Sequence, residues 1–239
     1  PDHVWKALVS IEDERFFEHG GVDWKSTARA IFDKVTGRST RGGSTITQQL
    51  IKNVTGEKEV TIKRKVTEIF RALRLAENYS RDEILETYLN TVYFGCGSYG
   101  IEAAAETYFG KTVGELTVAE AAAIVGITQN PYKYDPSKGD WYREQNKERQ
   151  LTVLYKMHEL GYLDDAQYEQ AEDEKLVFAW DDDFAPSDAM VAEVASNTTY
   201  DSYFVERMFN DIVADLMEQK GYEKEVAKTM LYTGGYSIY

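Results

Sequence analysis

The chain has 239 residues, 43% of them hydrophobic, which is enough to bury one large core. The formal net charge is −14, and the whole excess lies in the last third, because residues 157–239 carry 19 acidic and only 5 basic side chains. No basic stripe interleaved with aromatic residues occurs, which argues against a nucleic-acid partner. The single cysteine, Cys96, excludes an internal disulfide, and we expect it to be a small buried residue.

Most of the sequence predicts helix. Asp23 can cap a helix that begins at Trp24, and further helices are predicted over residues 45–53, 60–78 and 142–160. Capping patterns that begin at Ser80, Thr117 and Asp164 predict the starts of three more helices. Residues 230–239 are rich in Tyr, Thr, Ile and Gly and favour the start of a strand.

An acidic segment near the start of the chain, EDERFFEHGG at residues 12–21, is the first candidate site. A carboxylate that is held among like charges and aromatic rings suits general acid–base catalysis. The alternative is an ordinary solvated acidic turn, and composition alone favours that alternative.

The second candidate is a Gly-rich segment, GGSTITQQLIKN at residues 42–53. Free backbone N–H groups where such a loop enters a helix favour a phosphate, and Lys52 adds a positive charge. The spacing does not match a Walker A loop. The alternative interpretation is a helix that is simply capped by Ser or Thr.

A basic cluster is the third candidate, since residues 52–74 hold 7 basic and 3 acidic side chains. Arg64 and Lys65 precede Glu68 by four and three positions, so these side chains share one helix face. The functional interpretation is a pyrophosphate clamp with an embedded carboxylate. The alternative is an ordinary salt-bridged helix.

Together with ILETYLN at residues 84–90, these three segments resemble, in order and spacing, the motifs of the family 51 glycosyltransferases. That family comprises the transglycosylase domains of class A penicillin-binding proteins and the monofunctional peptidoglycan glycosyltransferases. The resemblance covers about residues 4–180. One departure is Thr128, which stands where the family usually has Pro, and we expect it to leave the residues that carry the chemistry untouched.

The resemblance implies a mainly α-helical fold. It consists of a lysozyme-like glycosyltransferase lobe with a small membrane-proximal lobe, followed by the start of a linker region. We expect residues 1–185 to form the peptidoglycan glycosyltransferase domain, and residues 186–239 to form a linker that leads to a transpeptidase domain. The parent protein would then be bifunctional.

The resemblance also implies a reaction. The enzyme would polymerise lipid II into β-1,4 glycan strands in cell-wall synthesis, with inversion at the anomeric carbon and release of undecaprenyl pyrophosphate. Glu12 matches the family's catalytic base and Glu68 its second catalytic carboxylate, while His19 suits a structural role equally well. The residues that the resemblance assigns to substrate binding are Asp13, Phe16, His19, Ser44, Thr45, Gln48, Gln49, Lys52, Asn53, Arg64 and Lys65.

Cofactors and partners follow from the same resemblance. The sequence requires no cofactor and leaves a divalent metal, Mg²⁺ or Mn²⁺, open, with Glu68 as its candidate ligand. The implied partners are lipid II, the growing lipid-linked glycan, the membrane surface, and phosphoglycolipid inhibitors such as moenomycin. The implied location is the outer face of the bacterial cytoplasmic membrane, with an anchoring transmembrane helix upstream of Pro1.

One helix face is a candidate for contact with that membrane. Its side chains recur at helical spacing and are Trp24, Ile31, Phe32 and Val35. We expect this face to dip into the membrane interface, and the alternative is that it belongs to the core.

Two other functions compete with the glycosyltransferase. A lysozyme-like peptidoglycan hydrolase would share the fold and the two carboxylates, but its leaving group is a sugar and needs no cluster of Lys52, Arg64 and Lys65. A non-catalytic lipid II binding module would not require Glu12 and Glu68 together.

Overall fold

The structure is a computed structural model, and it describes residues 1–36, 42–56, 61–189, 191–192, 212–214, 216–218 and 220–233. Within these residues the chain is mainly helical and forms no strand, which confirms the predicted fold class; an isolated antiparallel bridge joins Tyr93 and Tyr99. The α-helices are α1 (Asp2–Glu12), α2 (Trp24–Thr36), α3 (Ile46–Thr55), α4 (Ile62–Asn78), α5 (Arg81–Thr91), α6 (Ile101–Phe109), α7 (Val118–Ile127), α8 (Pro131–Tyr134), α9 (Asp140–Glu159), α10 (Asp165–Asp173) and α11 (Lys224–Thr233).

The predicted helix starts are confirmed by hydrogen bonds at the caps. Ser80, Thr117 and Asp164 each accept a hydrogen bond from the backbone N–H three residues later, and the side chain of that later residue accepts from the cap backbone. Asp23 accepts from the backbone of Ser26 at the start of α2. Burial alone would raise the pKa of Asp23, but hydrogen bonds from Ser26 and the Arg15 guanidinium outweigh it and lower the pKa to about 2.

Helix α7 forms the centre of the core, because nine of its ten residues, from Ala119 to Ile127, are buried. It packs against α1 and α9, whose inward side chains include Leu8 and Met157, both fully buried. Burying a side chain of this size contributes about 1.5–3 kcal/mol. Two buried amides on α9, Asn146 and Gln150, donate to backbone carbonyls of α7 and so satisfy part of their hydrogen-bonding capacity there.

Two local predictions were wrong. Cys96 is exposed rather than buried, because it lies in a tight turn between Gly95 and Gly97 with φ 47°, which turns its side chain out of the core. The strand predicted from residue 230 onward is helix at residues 230–233, since these residues continue α11, which begins at Lys224; residues 234–239 lie outside the described part of the chain. The strand was predicted from the Tyr and Thr residues of this segment. The Lys, Glu and Ala residues that precede it favour helix, and the helix continues through residue 233.

The helical body extends beyond α10. The backbone N–H of Ala179 donates to the carbonyl of Tyr108 at 2.9 Å, and that of Ser187 donates to the carbonyl of Gly110 at 3.2 Å. Phe178 stacks on Phe109 with ring centroids 5.2 Å apart. Among the described residues, no helix is long and apolar enough to cross a membrane.

Candidate active site

A cleft of about 500 Å³ opens between the end of α1 and helices α3, α4 and α5. Nine of the residues predicted for catalysis or substrate binding line it, and they are Glu12, Ser44, Gln48, Gln49, Lys52, Asn53, Arg64, Lys65 and Glu68. Segments that are far apart in the sequence therefore contribute to one site.

Glu12 is the last residue of α1, and its side chain is only 12% exposed. Both carboxylate oxygens have a hydrogen-bond donor: Gln49 Nε2 donates to Oε2 at 2.8 Å, and Thr128 Oγ1 lies 3.0 Å from Oε1. The guanidinium of Arg149 is 4.0 Å from Oε1. These groups satisfy the ionised carboxylate and hold it at the wall of the cleft, as a proton acceptor requires.

The orientation of Gln49 is set by Tyr88, a fully buried residue of α5. The Tyr88 hydroxyl donates to Gln49 Oε1 at 2.9 Å, so the amide NH₂ group must face Glu12. Burial, and then the negative charge of Glu12, raise the pKa of Tyr88 well above its ordinary value. The hydroxyl therefore stays protonated and remains a donor.

The basic cluster surrounds Glu68, whose side chain is only 4% exposed. Arg64 Nη1 donates to one carboxylate oxygen at 2.9 Å, and Lys65 Nζ contacts the other. Lys65 Nζ also lies 2.8 Å from Ser44 Oγ, which ties α4 to the Gly-rich segment. The buried carboxylate of Glu68 holds the side chains of Arg64 and Lys65 in place at the wall of the cleft. Lys52 adds a third positive charge to the same wall.

Four predicted substrate-binding residues are not among those that line the cleft, and they are Asp13, Phe16, His19 and Thr45. Asp13 accepts from the backbone N–H of Ile46 at 3.1 Å and lies 2.9 Å from His19 Nε2. Thr45 caps α3, and Phe16 is fully buried. Asp13 thus contacts the start of α3, and the Thr45 hydroxyl donates to the Gly21 carbonyl, so two hydrogen bonds join the acidic segment to α3. A role of these four residues in substrate binding stays a prediction.

Other wall residues were not predicted from the sequence, and they are Tyr88, Thr91, Val92, Tyr93, Tyr99, Thr128, Gln129 and Pro131. The expectation for Thr128 was wrong, because its hydroxyl contacts Glu12 directly. Thr128 and Glu12 are separated by 116 positions, so no local pattern could indicate the contact. The one feature of the sequence that drew attention to this position was Thr128 itself, because the family usually has Pro there.

Glu68 is the residue that the sequence offers as a ligand for a divalent metal. Within the described residues there is no group of three or more His, Cys, Asp or Glu side chains placed to hold a metal ion. Both oxygens of Glu68 already contact cations, which favours its role in positioning Arg64 and Lys65.

Comparison with known proteins identifies the class of this protein. The mainly helical chain, with a cleft that holds Glu12 and the basic cluster, matches a family of glycosyltransferases. The family model described as Transglycosylase matches residues 1–158, and the chain belongs to that family, the glycosyltransferases of peptidoglycan synthesis in class A penicillin-binding proteins.

The individual relatives are penicillin-binding proteins. The chain is 39% identical over 251 residues to penicillin-binding protein 1A of Clostridium perfringens (strain 13 / Type A), covering all of this chain and 35% of the relative. It is 44% identical over 164 residues to penicillin-binding protein 1F of Bacillus subtilis (strain 168), covering 68% of this chain and 22% of the relative. A crystal structure of penicillin-binding protein 1A from Haemophilus influenzae aligns with a TM-score of 0.40 and 24% identity, over 75% of this chain and 20% of that one. The chain thus spans about a third or less of the length of these relatives.

Proposed function

We propose that this domain polymerises lipid II into β-1,4-linked glycan strands, with release of undecaprenyl pyrophosphate. The observation that carries the proposal is one cleft that contains both a hydrogen-bonded carboxylate, Glu12, and the Arg64–Glu68–Lys65 cluster. A proton acceptor and a set of fixed cations are the two groups that displacement of a pyrophosphate by a sugar hydroxyl requires.

Glu12 is the general base in this proposal. The 4-hydroxyl of the incoming lipid II loses its proton to Glu12 as its oxygen attacks the anomeric carbon of the growing glycan. The bond from that carbon to the pyrophosphate oxygen breaks in the same displacement. Attack from the face opposite the leaving group converts an α-linked pyrophosphate into a β-linked glycoside, so the reaction inverts configuration.

The basic cluster stabilises the leaving group. Negative charge develops on the pyrophosphate as its bond to carbon breaks, and Lys52, Arg64 and Lys65 present positive charge to the cleft. Arg64 Nε is buried and has no hydrogen-bond partner among the described residues. A buried donor of this kind is costly unless a ligand oxygen satisfies it, which supports an anionic ligand beside Arg64.

The experiment that tests the proposal is incubation of the purified protein with lipid II, followed by separation of the products by size. We expect long glycan strands whose formation moenomycin blocks. Shortening of preformed strands would instead identify a hydrolase. Binding of lipid II without turnover would identify a non-catalytic module, and either of these outcomes would overturn the proposal.

We further propose that the domain works at the outer face of the cytoplasmic membrane, where the lipid tail of its substrate lies. Two residues of the predicted membrane face support contact there, because Trp24 and Phe32 are each 58% exposed on α2. The side chains of Ile31 and Val35 lie outside the described part of the structure. The core alternative does not hold for Trp24 and Phe32, since exposed rings of this size do not belong to the core.

Replacing Phe32 with Glu should weaken binding to liposomes by about tenfold or more, because burying a Phe side chain contributes about 1.5–3 kcal/mol. Sedimentation with liposomes that contain anionic lipid measures the effect. Tyr155→Glu on α9 is the matched control, since it places the same charge at another exposed aromatic position. Equal binding by the Phe32 variant and the wild-type protein, with both folded, would exclude this membrane contact.

The domain division is also a proposal. We place the boundary of the glycosyltransferase domain near residue 185, with residues 186–239 leading to a transpeptidase domain. The contacts of residues 178–187 with α6 and the residues that follow it support a helical body that continues to about this point.

A further inference from the structure

We propose that Thr128 is a positioning residue that orients the carboxylate of Glu12 for proton transfer. The inference rests on the proposed function, in which Glu12 is the general base. Thr128 stands where the family usually has Pro, so the proposed role belongs to this chain and not to the family in general.

The hydroxyl of Thr128 lies between two acceptors. Its oxygen is 3.0 Å from Glu12 Oε1 and 2.8 Å from the backbone carbonyl of Val125. A hydroxyl has one proton, so it can donate to only one of them at a time. The Val125 carbonyl also accepts from the backbone N–H of Thr128 at 3.1 Å, and it keeps that partner when the hydroxyl turns to Glu12.

A second donor matters because the carboxylate of a Glu rotates easily. Its terminal torsion joins a tetrahedral to a planar carbon and has broad energy wells. Gln49 holds Oε2, and the remaining charged neighbour, Arg149, is 4.0 Å from Oε1, beyond hydrogen-bond distance. With Thr128 on Oε1 and Gln49 on Oε2, donors from α3 and from the end of α7 fix the plane of the carboxylate.

A hydroxyl suits this position because it can both donate and accept. Before the reaction, Thr128 donates to the ionised carboxylate of Glu12. Once Glu12 has taken the proton from the sugar hydroxyl, the Thr128 hydroxyl turns to the Val125 carbonyl, and its oxygen accepts from the new carboxyl O–H. The transferred proton stays on Glu12 throughout, and the neighbouring groups remain hydrogen-bonded in both states. The amide NH₂ of Gln49 can only donate and cannot follow the proton in this way.

The backbone does not dictate the choice of Thr. Thr128 has φ −54° and ψ −34°, and this φ is one that Pro can adopt. Pro would lack both the hydroxyl and the backbone N–H that donates to Val125. The Thr side chain therefore adds a contact to the base that a Pro at the same position could not provide.

The test compares Thr128→Val, which keeps the shape and removes the hydroxyl, with Thr128→Ser, which keeps the hydroxyl. We expect Thr128→Val to lower kcat for lipid II polymerisation by about three- to tenfold with KM little changed, because one of several donors to the base is lost. Thr128→Ser should recover most of the rate. Thr128→Ala is a second variant that removes the hydroxyl without adding an apolar group. Thr152→Val on α9, which removes an exposed hydroxyl that donates to the Glu148 carbonyl, is the matched control.

Three results would overturn the inference: an unchanged kcat in Thr128→Val, a loss of rate that Thr128→Ser does not restore, or a rise in KM alone. Crystal structures of the two variants give a readout that needs no turnover. We expect the Glu12 carboxylate to rotate in Thr128→Val and to keep its place in Thr128→Ser. If the wild-type protein does not polymerise lipid II, the proposed function fails by itself. The crystal structures then decide the role of Thr128, and an unrotated carboxylate in Thr128→Val would exclude it.

Discussion

Replacing Glu12 with Gln should lower the rate of lipid II polymerisation by about 100- to 10,000-fold, the usual cost of losing a general base. Gln keeps the size of the side chain but cannot accept the proton. The site tolerates the change, because the new amide oxygen can accept from Gln49 while the new NH₂ group donates to Thr128, whose hydroxyl can turn to the Val125 carbonyl. Binding of moenomycin and the melting temperature should therefore stay close to those of the wild-type protein.

Glu14→Gln is the matched control for this experiment. It removes a carboxylate from the same acidic segment, but the side chain of Glu14 is 49% exposed and does not line the cleft. We expect it to polymerise at a rate close to that of the wild-type protein. Near-normal polymerisation by the Glu12 variant, or an equal loss in both variants, would remove Glu12 from the role of base.

Replacing Arg64 or Lys65 with Ala should weaken the binding of pyrophosphate-bearing ligands by about tenfold or more, since a hydrogen bond to a charged group contributes about 1.5–3 kcal/mol. Titration of the protein with moenomycin or lipid II measures the affinity. From the sequence alone, loss of these cations would be expected to change stability little, because solvated charges contribute about 0–1 kcal/mol. The burial of Glu68 changes that expectation for Arg64→Ala, which should lower the free energy of unfolding by about 1–3 kcal/mol because a buried carboxylate loses a partner.

Two further variants show whether ligand affinity depends on a lysine in the cleft or on the loss of any positive charge. Lys52→Ala should weaken the same ligands with little effect on stability. Lys63→Ala is the matched control, because it removes an equal charge from an exposed position on α4, one residue before Arg64. If ligand affinity is unchanged in Arg64→Ala and Lys65→Ala while the melting temperature falls, the cluster is structural and does not bind the leaving group.

Local physical chemistry explains which features could be predicted from the sequence. A capping box spans four residues, so Ser80, Thr117 and Asp164 predict their helix starts without knowledge of the rest of the fold. Arg64 and Glu68 lie one helical turn apart, so their contact follows from helix geometry alone. The ordered motifs predicted the family and, with it, nine of the seventeen residues of the cleft wall.

The tertiary structure decided which of these residues face the cleft and which face the core. Asp13 adjoins Glu12 in the sequence, yet it points inward to the start of α3, because packing against the core, and not the local pattern, sets the direction of each side chain in this segment. The environment of the base depends on contacts across the fold: Gln49 is 37 positions from Glu12, and Thr128 is 116 positions away. Such contacts exist only after α1, α3 and α7 have packed together, since hydrogen-bond distances between distant segments are set by the packing of whole helices. The family, most of the helices and the charged groups of the site thus follow from local sequence patterns, whereas the contacts that hold Glu12 in place arise from the packing of distant helices.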